Sequence, residues 1–229
     1  VSSAYVTISS VNIDGSDKIY TAGMSISSYS AIFYSSITVQ QADGIYSSAA
    51  GSLISYSTVA TLTLSSGRGI YFLGATSNTI THGYFYARNW HGIGFYFGSN
   101  YNTVSYSTGS SDGTLNGGLI IRNSSYNVVT QSYLAGNTDN YGIEISSSVG
   151  NDISFSTIVS NHGTDAACTI PPMNNQCPAL WLRNASSNVF TNAYVNENWT
   201  KPSVATVLTG LYPSTHGAKE EIDALADDV

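Results

Sequence analysis

At 229 residues and 24.2 kDa the chain suits one domain, or one segment of a longer array, with room for a sizeable core. Only 9% of residues are charged, against roughly 25% in an ordinary globular chain; with Lys+Arg 7 and Asp+Glu 14 there is no basic stripe for phosphates, which excludes nucleic-acid binding. A hydrophobic share of 42% with 17 tyrosines excludes disorder, so solubility has to rest on uncharged Ser, Thr, Asn and Gly.

The chain opens at Val1 with neither a basic region nor an apolar leader, which reads as a mature product or an excised piece. Residues 1–43 hold two degenerate copies of a repeat, around Tyr5-Val6-Thr7-Ile8 and from Ser25-Ile26 onward. A third runs through Gly44-Ile45-Tyr46 and Leu53-Ile54-Ser55. Five clear copies follow, opened by Gly69, Gly92, Gly118, Gly142 and Ala179 and centred on Asn78, Asn102, Asn127, Asn151 and Asn188. The asparagines lie 24, 25, 24 and 37 residues apart, and the long interval holds an insertion at about 161–178. Within a copy, Gly-Ile-x-Ile and Asn-x-Ile-x-x-Ser alternate with period two, and a third apolar piece such as Tyr84-Phe85 or Tyr133-Leu134 completes it. A period near 24 with three short strands per copy is what a solenoid needs, because each coil pairs only with its neighbours. All five prolines lie beyond residue 170, which leaves the ladders upstream continuous. Residues 201–229 are non-repetitive and read as a short helix or linker, with Ile222, Leu225 and Val229 on one face. No apolar run approaches the ~18 residues of a membrane span.

Cys168 and Cys177 close a Pro/Asn-rich stretch inside the insertion. A local disulfide is the favoured reading; two free thiols are the alternative, and the spacing matches no zinc pattern. Asn123, Asn184 and Asn198 begin acceptable glycosylation sequons. These features point to an extracellular or cell-surface protein.

The asparagine column is expected to be structural, accepting left-handed turn geometry and stacking amide on amide. Chemistry is sought on the outward positions of the first strand. Tyr71, Glu144 and Trp181 share one column, and Tyr96, Arg122 and Arg183 the next. Rungs lie ~4.8 Å apart, so these residues should form one patch of aromatics and charges suited to sugar rings and acidic substituents. A preceding column, Asp43, Arg68 and His91, could supply an acid, a charge stabiliser and a base, making these and Glu144 the catalytic candidates. The outward second-strand residues, among them Thr79, Thr81, Thr103 and Ser105, form a hydroxyl array of the kind ice-binding solenoids use, interrupted by Asp152. No cofactor or metal is expected.

The G-I-x-I and N-x-I-x-x-S cadence resembles the right-handed parallel β-helix repeats of the pectate-lyase-like superfamily. That resemblance implies an all-β, single-stranded right-handed parallel β-helix of about eight or nine coils over residues 1–200. The superfamily holds lyases, glycoside hydrolases, epimerases, adhesin segments and tailspikes, so fold alone does not select an activity. The lyases look for Lys or Arg as base, whereas Lys18, Lys201 and Lys219 all lie outside the clear repeats. The hydrolases use clustered Asp pairs, and none precedes the tail. The leading expectation is therefore a structural or adhesive module with weak glycan contact, whose partners are a polysaccharide, further copies or neighbouring domains. A polysaccharide lyase or hydrolase working near Arg68, His91, Arg122, Glu144 and Arg183 is the alternative, and ice binding a third.

Overall fold

The computed structural model describes residues 5–15, 19, 21–62, 67–113, 116–137, 141–160 and 178–196. Each repeat supplies three strands of three to six residues, too short to stand alone, and every one pairs in parallel with its counterpart in the next repeat. One coil runs through Ile93–Tyr96 in the first sheet, Thr103–Ser105 in the second and Thr108–Ser111 in the third. The three sheets hold seven, eight and eight strands respectively. These make seven complete coils and two strands of an eighth, somewhat fewer than the eight or nine the repeat predicts. No helix occurs among the described residues, and none is long and apolar enough to cross a membrane. The insertion with Cys168 and Cys177, the Asn198 sequon and the C-terminal segment lie outside the described residues.

Period-two alternation aims one side of every strand into the coil. The first sheet contributes Ile70, Phe72, Ile93, Phe95, Leu119 and Ile121, all fully buried, with the Phe72 and Phe95 rings stacked at 5.5 Å. The second contributes Ile54, Ile80, Val104 and Val129, and the third Val59, Phe85, Leu134 and Ile158. Gly109 stands in register between Phe85 and Leu134, and a Cβ there would come within 2.5 Å of Gly118 O and 3.2 Å of the Leu134 side chain. The opening glycines have a steric reason. A Cβ on Gly118 would come within 2.5 Å of Ala135 N and 2.6 Å of Gly109 O, because third and first sheets meet there backbone to backbone.

The corners are where a coil's N–H groups lose their strand partners, and buried polar side chains take over. Asn78, Asn102, Asn127 and Asn151 each send their Nδ2 to the Oδ1 of the next asparagine, at 3.0, 3.1, 3.0 and 2.9 Å. Each of these oxygens also accepts the backbone N–H of the asparagine one coil below, at 2.9 to 3.0 Å. A serine ladder does the same at the next corner, where Ser107 N donates to Ser132 Oγ and Ser132 N to Ser156 Oγ, both at 3.2 Å. A third links Ala75 N, Ser99, Ser124 and Ser148. The left-handed geometry expected of the asparagines sits one residue earlier, on Ser77, Tyr101, Tyr126 and Ser187 at φ 55 to 59. Asparagine keeps ordinary φ because its side chain must point inward to reach the ladder.

Candidate aromatic and charged cluster on the first sheet

The outward columns fall in the expected register. Tyr71 pairs with Gly94, Gly94 with Ile120, Ile120 with Glu144 and Glu144 with Trp181; Tyr96 pairs with Arg122 and Arg183 with Ser146. Their environment differs from a solvated ladder. Tyr96, Ile120 and Tyr141 form a second small hydrophobic cluster, with Tyr71, Leu73 and Trp181 packed against it.

Glu144 lies inside this cluster with 1% of its surface exposed. A buried carboxylate needs partners for its lone pairs. Arg122 Nη2 donates to both oxygens at 2.9 Å, the Tyr141 hydroxyl to Oε2 at 2.9 Å and Ser146 Oγ to Oε1 at 2.8 Å. Every acceptor direction is filled by a local donor, leaving no oxygen aimed at solvent. Burial, then the Glu144 charge and hydrogen bond, push the Tyr141 phenol far above its ordinary value, so it stays a donor. Neither Tyr141 nor Ser146 was distinguishable from ordinary turn and ladder residues in the sequence. Their spacing of three and two residues from Glu144 was the available signal.

Asp43 and Arg68 pair one end of the same face. Arg68 Nη1 reaches Asp43 Oδ1 at 3.2 Å, and the Arg68 backbone N–H donates to the same oxygen at 2.8 Å. Burial raises the Asp43 carboxyl above its ordinary value, outweighing the opposing effect of Arg68. The Arg68 guanidinium lies 3.9 Å from the Tyr71 ring centre, 5.3 Å from Trp90 and 5.5 Å from Tyr96. Such cation–π packing suits arginine, whose planar head is weakly hydrated. Arg68 Nε and Trp90 Nε1 are nevertheless buried without a well-formed hydrogen bond. The Tyr96 hydroxyl is the acceptor they approach: burial raises its pKa, and the Arg68 and Arg122 charges with hydrogen bonding from Trp90 and Arg68 oppose that rise.

His91 is 2% exposed, beside Trp90 and Tyr96. Burial, reinforced by the positive charges of Arg68 and Arg122, holds its pKa well below the usual imidazole range. The Gly117 N–H donates to its Nδ1 at 3.3 Å, so the neutral ring carries its proton on Nε2. The catalytic candidates thus resolve into two centres: Asp43 paired with Arg68, and Glu144 paired with Arg122, with His91 beneath Trp90 and Tyr96. Of the residues expected to contact glycan, Tyr96 is covered, Tyr71, Arg122 and Trp181 are half-buried, and Arg183 is exposed. Among the described residues no three His, Cys, Asp or Glu side chains converge as a metal site would require.

Other expected surfaces are distinct from this cluster. Asn123 and Asn184 are exposed at φ 49 and 48 on the corner after the first strand. The second-sheet hydroxyls bond to one another, Ser105 to Thr81 at 2.9 Å and Ser154 to Thr130 at 3.3 Å, and Asp152 Oδ1 is buried without a partner. Unforeseen in the sequence were exposed ring stacks at two corners. Tyr34, Tyr56, His82 and Tyr106 stack at 5.1, 4.7 and 4.9 Å, and Tyr101 stacks on Tyr126 at 5.3 Å. The recurring Ser-Tyr-Ser of residues 55–57 and 105–107 is the signal that could have found them.

The family model described as a right-handed β-helix region matches residues 2–192. Comparison with curated proteins and with solved structures gives no match. Inward aliphatic columns, parallel register and asparagine-lined corners agree with that assignment over the same span: the chain belongs to the right-handed β-helix family.

Proposed function

We propose that this chain is an extracellular structural or adhesive β-helix module, part of a larger surface protein or filament, with weak glycan contact through Tyr71, Trp181 and Arg183. The observation that carries this reading is the occupation of Glu144. A glycosidase needs two carboxylates flanking the scissile bond, one of them free to donate or accept a proton. Here Glu144 is enclosed by Arg122, Tyr141 and Ser146, and Asp43 is held by Arg68. Such networks hold adjacent rungs of a scaffold together. The test is incubation with neutral and acidic polysaccharides, followed by assays for new reducing ends and unsaturated products. No product is expected, whereas Trp181→Ala and Arg183→Ala should reduce retention on immobilised glycans several-fold. Product formation that disappears in Glu144→Gln or His91→Ala would overturn the reading.

One observation favours the second reading, a polysaccharide lyase or hydrolase on this face. The Arg68 guanidinium lies among the Tyr71, Trp90 and Tyr96 rings, a cation-and-aromatic grouping suited to an acidic sugar. The same product assay separates the two readings.

A further inference from the structure

The third sheet carries a column unlike the others among the described residues. Its outward positions run Thr58, Tyr84, Thr108, Tyr133, Thr157 and Tyr194 in continuous parallel register. Tyrosine and threonine therefore alternate from rung to rung. The three tyrosines are 44%, 42% and 65% exposed. Unlike the corner tyrosines, they have only threonines as column neighbours, so no ring lies in stacking range along the column. Successive tyrosines stand two rungs apart, about 9.6 Å. Beside Tyr84 lies a surface groove of about 550 Å³, floored by Ser57, Thr58 and Gly83 and walled by the Tyr34, Tyr56, His82 and Tyr106 stack.

We propose that this strip binds a linear, uncharged, β-1,4-linked polysaccharide lying parallel to the solenoid axis. In an extended chain of that linkage alternate sugars present the same C–H face, and the disaccharide repeat is close to two rungs. Each tyrosine then meets every second sugar, and the threonine between them offers a hydroxyl to the ring edges. Tyrosine suits this role because its face is apolar and its tip polar. The column itself bears no charge, which selects hydroxyl-rich ligands over uronates. The strip lies on a different sheet from the Tyr71, Trp181 and Arg183 face. It rests on the adhesive reading only in taking glycan as the class of partner, and does not need that face to bind.

The test is retention of the whole chain on cellulose, mannan and chitin, with starch and dextran as α-linked controls. Binding to at least one β-1,4-linked polymer and none to the α-linked ones is expected. Tyr133→Thr should weaken binding about tenfold and Tyr84→Thr with Tyr133→Thr abolish it, while Tyr133→Phe retains it. Threonine already occupies alternate rungs of this column, so an unchanged thermal midpoint should accompany the loss. Equal binding to starch, unaffected binding in the double variant, or a tyrosine-dependent dimer in sedimentation would each overturn the proposal. Loss of β-1,4-polymer retention in Trp181→Ala or Arg183→Ala, with the tyrosine variants unaffected, would overturn this strip and leave the first-sheet face as the binding surface.

Discussion

Tyr34, Tyr56 and Tyr106 each hold φ 48 at the corner between second and third strands. A left-handed backbone costs an L-residue about 1–2 kcal/mol, because its Cβ crowds the carbonyl. Glycine would avoid that cost, yet tyrosine recovers part of it by stacking on the ring one rung away, worth about 0.5–1.5 kcal/mol. Local propensity argues against tyrosine in such a turn, so only the stacked neighbour makes the choice intelligible. That neighbour lies one repeat away, where no local reading of sequence reaches. His91 is a further residue whose setting, not type, decides its behaviour. Because its folded pKa is lowered, the unfolded chain binds the extra proton first. Stability from this group is therefore present above the ordinary value of 6.5 and is lost as pH falls below it. The unfolding free energy should drop through this window by at most about 1.4 kcal/mol per pH unit, and His91→Gln should flatten that limb. Asp43, with a raised carboxyl, contributes with opposite sign in a window starting at 3.8. A wild-type slope that survives His91→Gln unchanged would assign the acid sensitivity elsewhere.

At the scale of one ladder, the sequence carried more. The spacing of Asn78, Asn102, Asn127 and Asn151 places them in one column, and that column exists as a continuous buried amide chain. Its register was legible because the period is fixed and asparagine is the sole conspicuous residue at its position. The hydroxyl ladders were not, since serine is everywhere in this chain and only burial distinguishes Ser99, Ser124 and Ser148 from their exposed kin. Removing one amide breaks several bonds together. Asn102→Ala would leave the Asn78 N–H, one Nδ2 hydrogen of Asn78 and the Ala75 carbonyl without these partners in a buried corner, while Asn127 Oδ1 keeps the residue-102 N–H. The expected loss is about 3 kcal/mol, read from chemical denaturation. A change below about 1 kcal/mol would mean that water enters the corner and replaces the amide.

For the molecule as a whole, the uncharged composition acquires a location. Much of the Ser and Asn surplus is buried at the corners, where it satisfies backbone groups and adds nothing to solubility. The outward columns stack like on like, so a charged column would repel itself along its length. Thermal midpoints should therefore change little between low salt and 1 M NaCl, since the ion pairs among the described residues, Asp43–Arg68 and Glu144–Arg122, each hold a buried or nearly buried carboxylate. A marked salt dependence would show that exposed charges carry more of the stability than the ladders do. Fold and register were legible because they follow from a period. The occupation of Glu144 was not, because it depends on which outward residues fold down over the sheet.

The asparagine chain also has a sense of travel. From Asn78 to Asn151 every Oδ1 faces the earlier coil and Nδ2 donates to the asparagine of the later one, while Asn78, Asn102 and Asn151 also turn an Nδ2 hydrogen back to a carbonyl of the earlier coil. Aligned dipoles of this kind polarise one another and add along the row. The molecule is thus a vector as well as a rod. Anything that prolongs the row beyond Asn188 has to arrive with an acceptor leading. The two directions along the row are therefore unlike, acceptors facing one way and the linking donors the other.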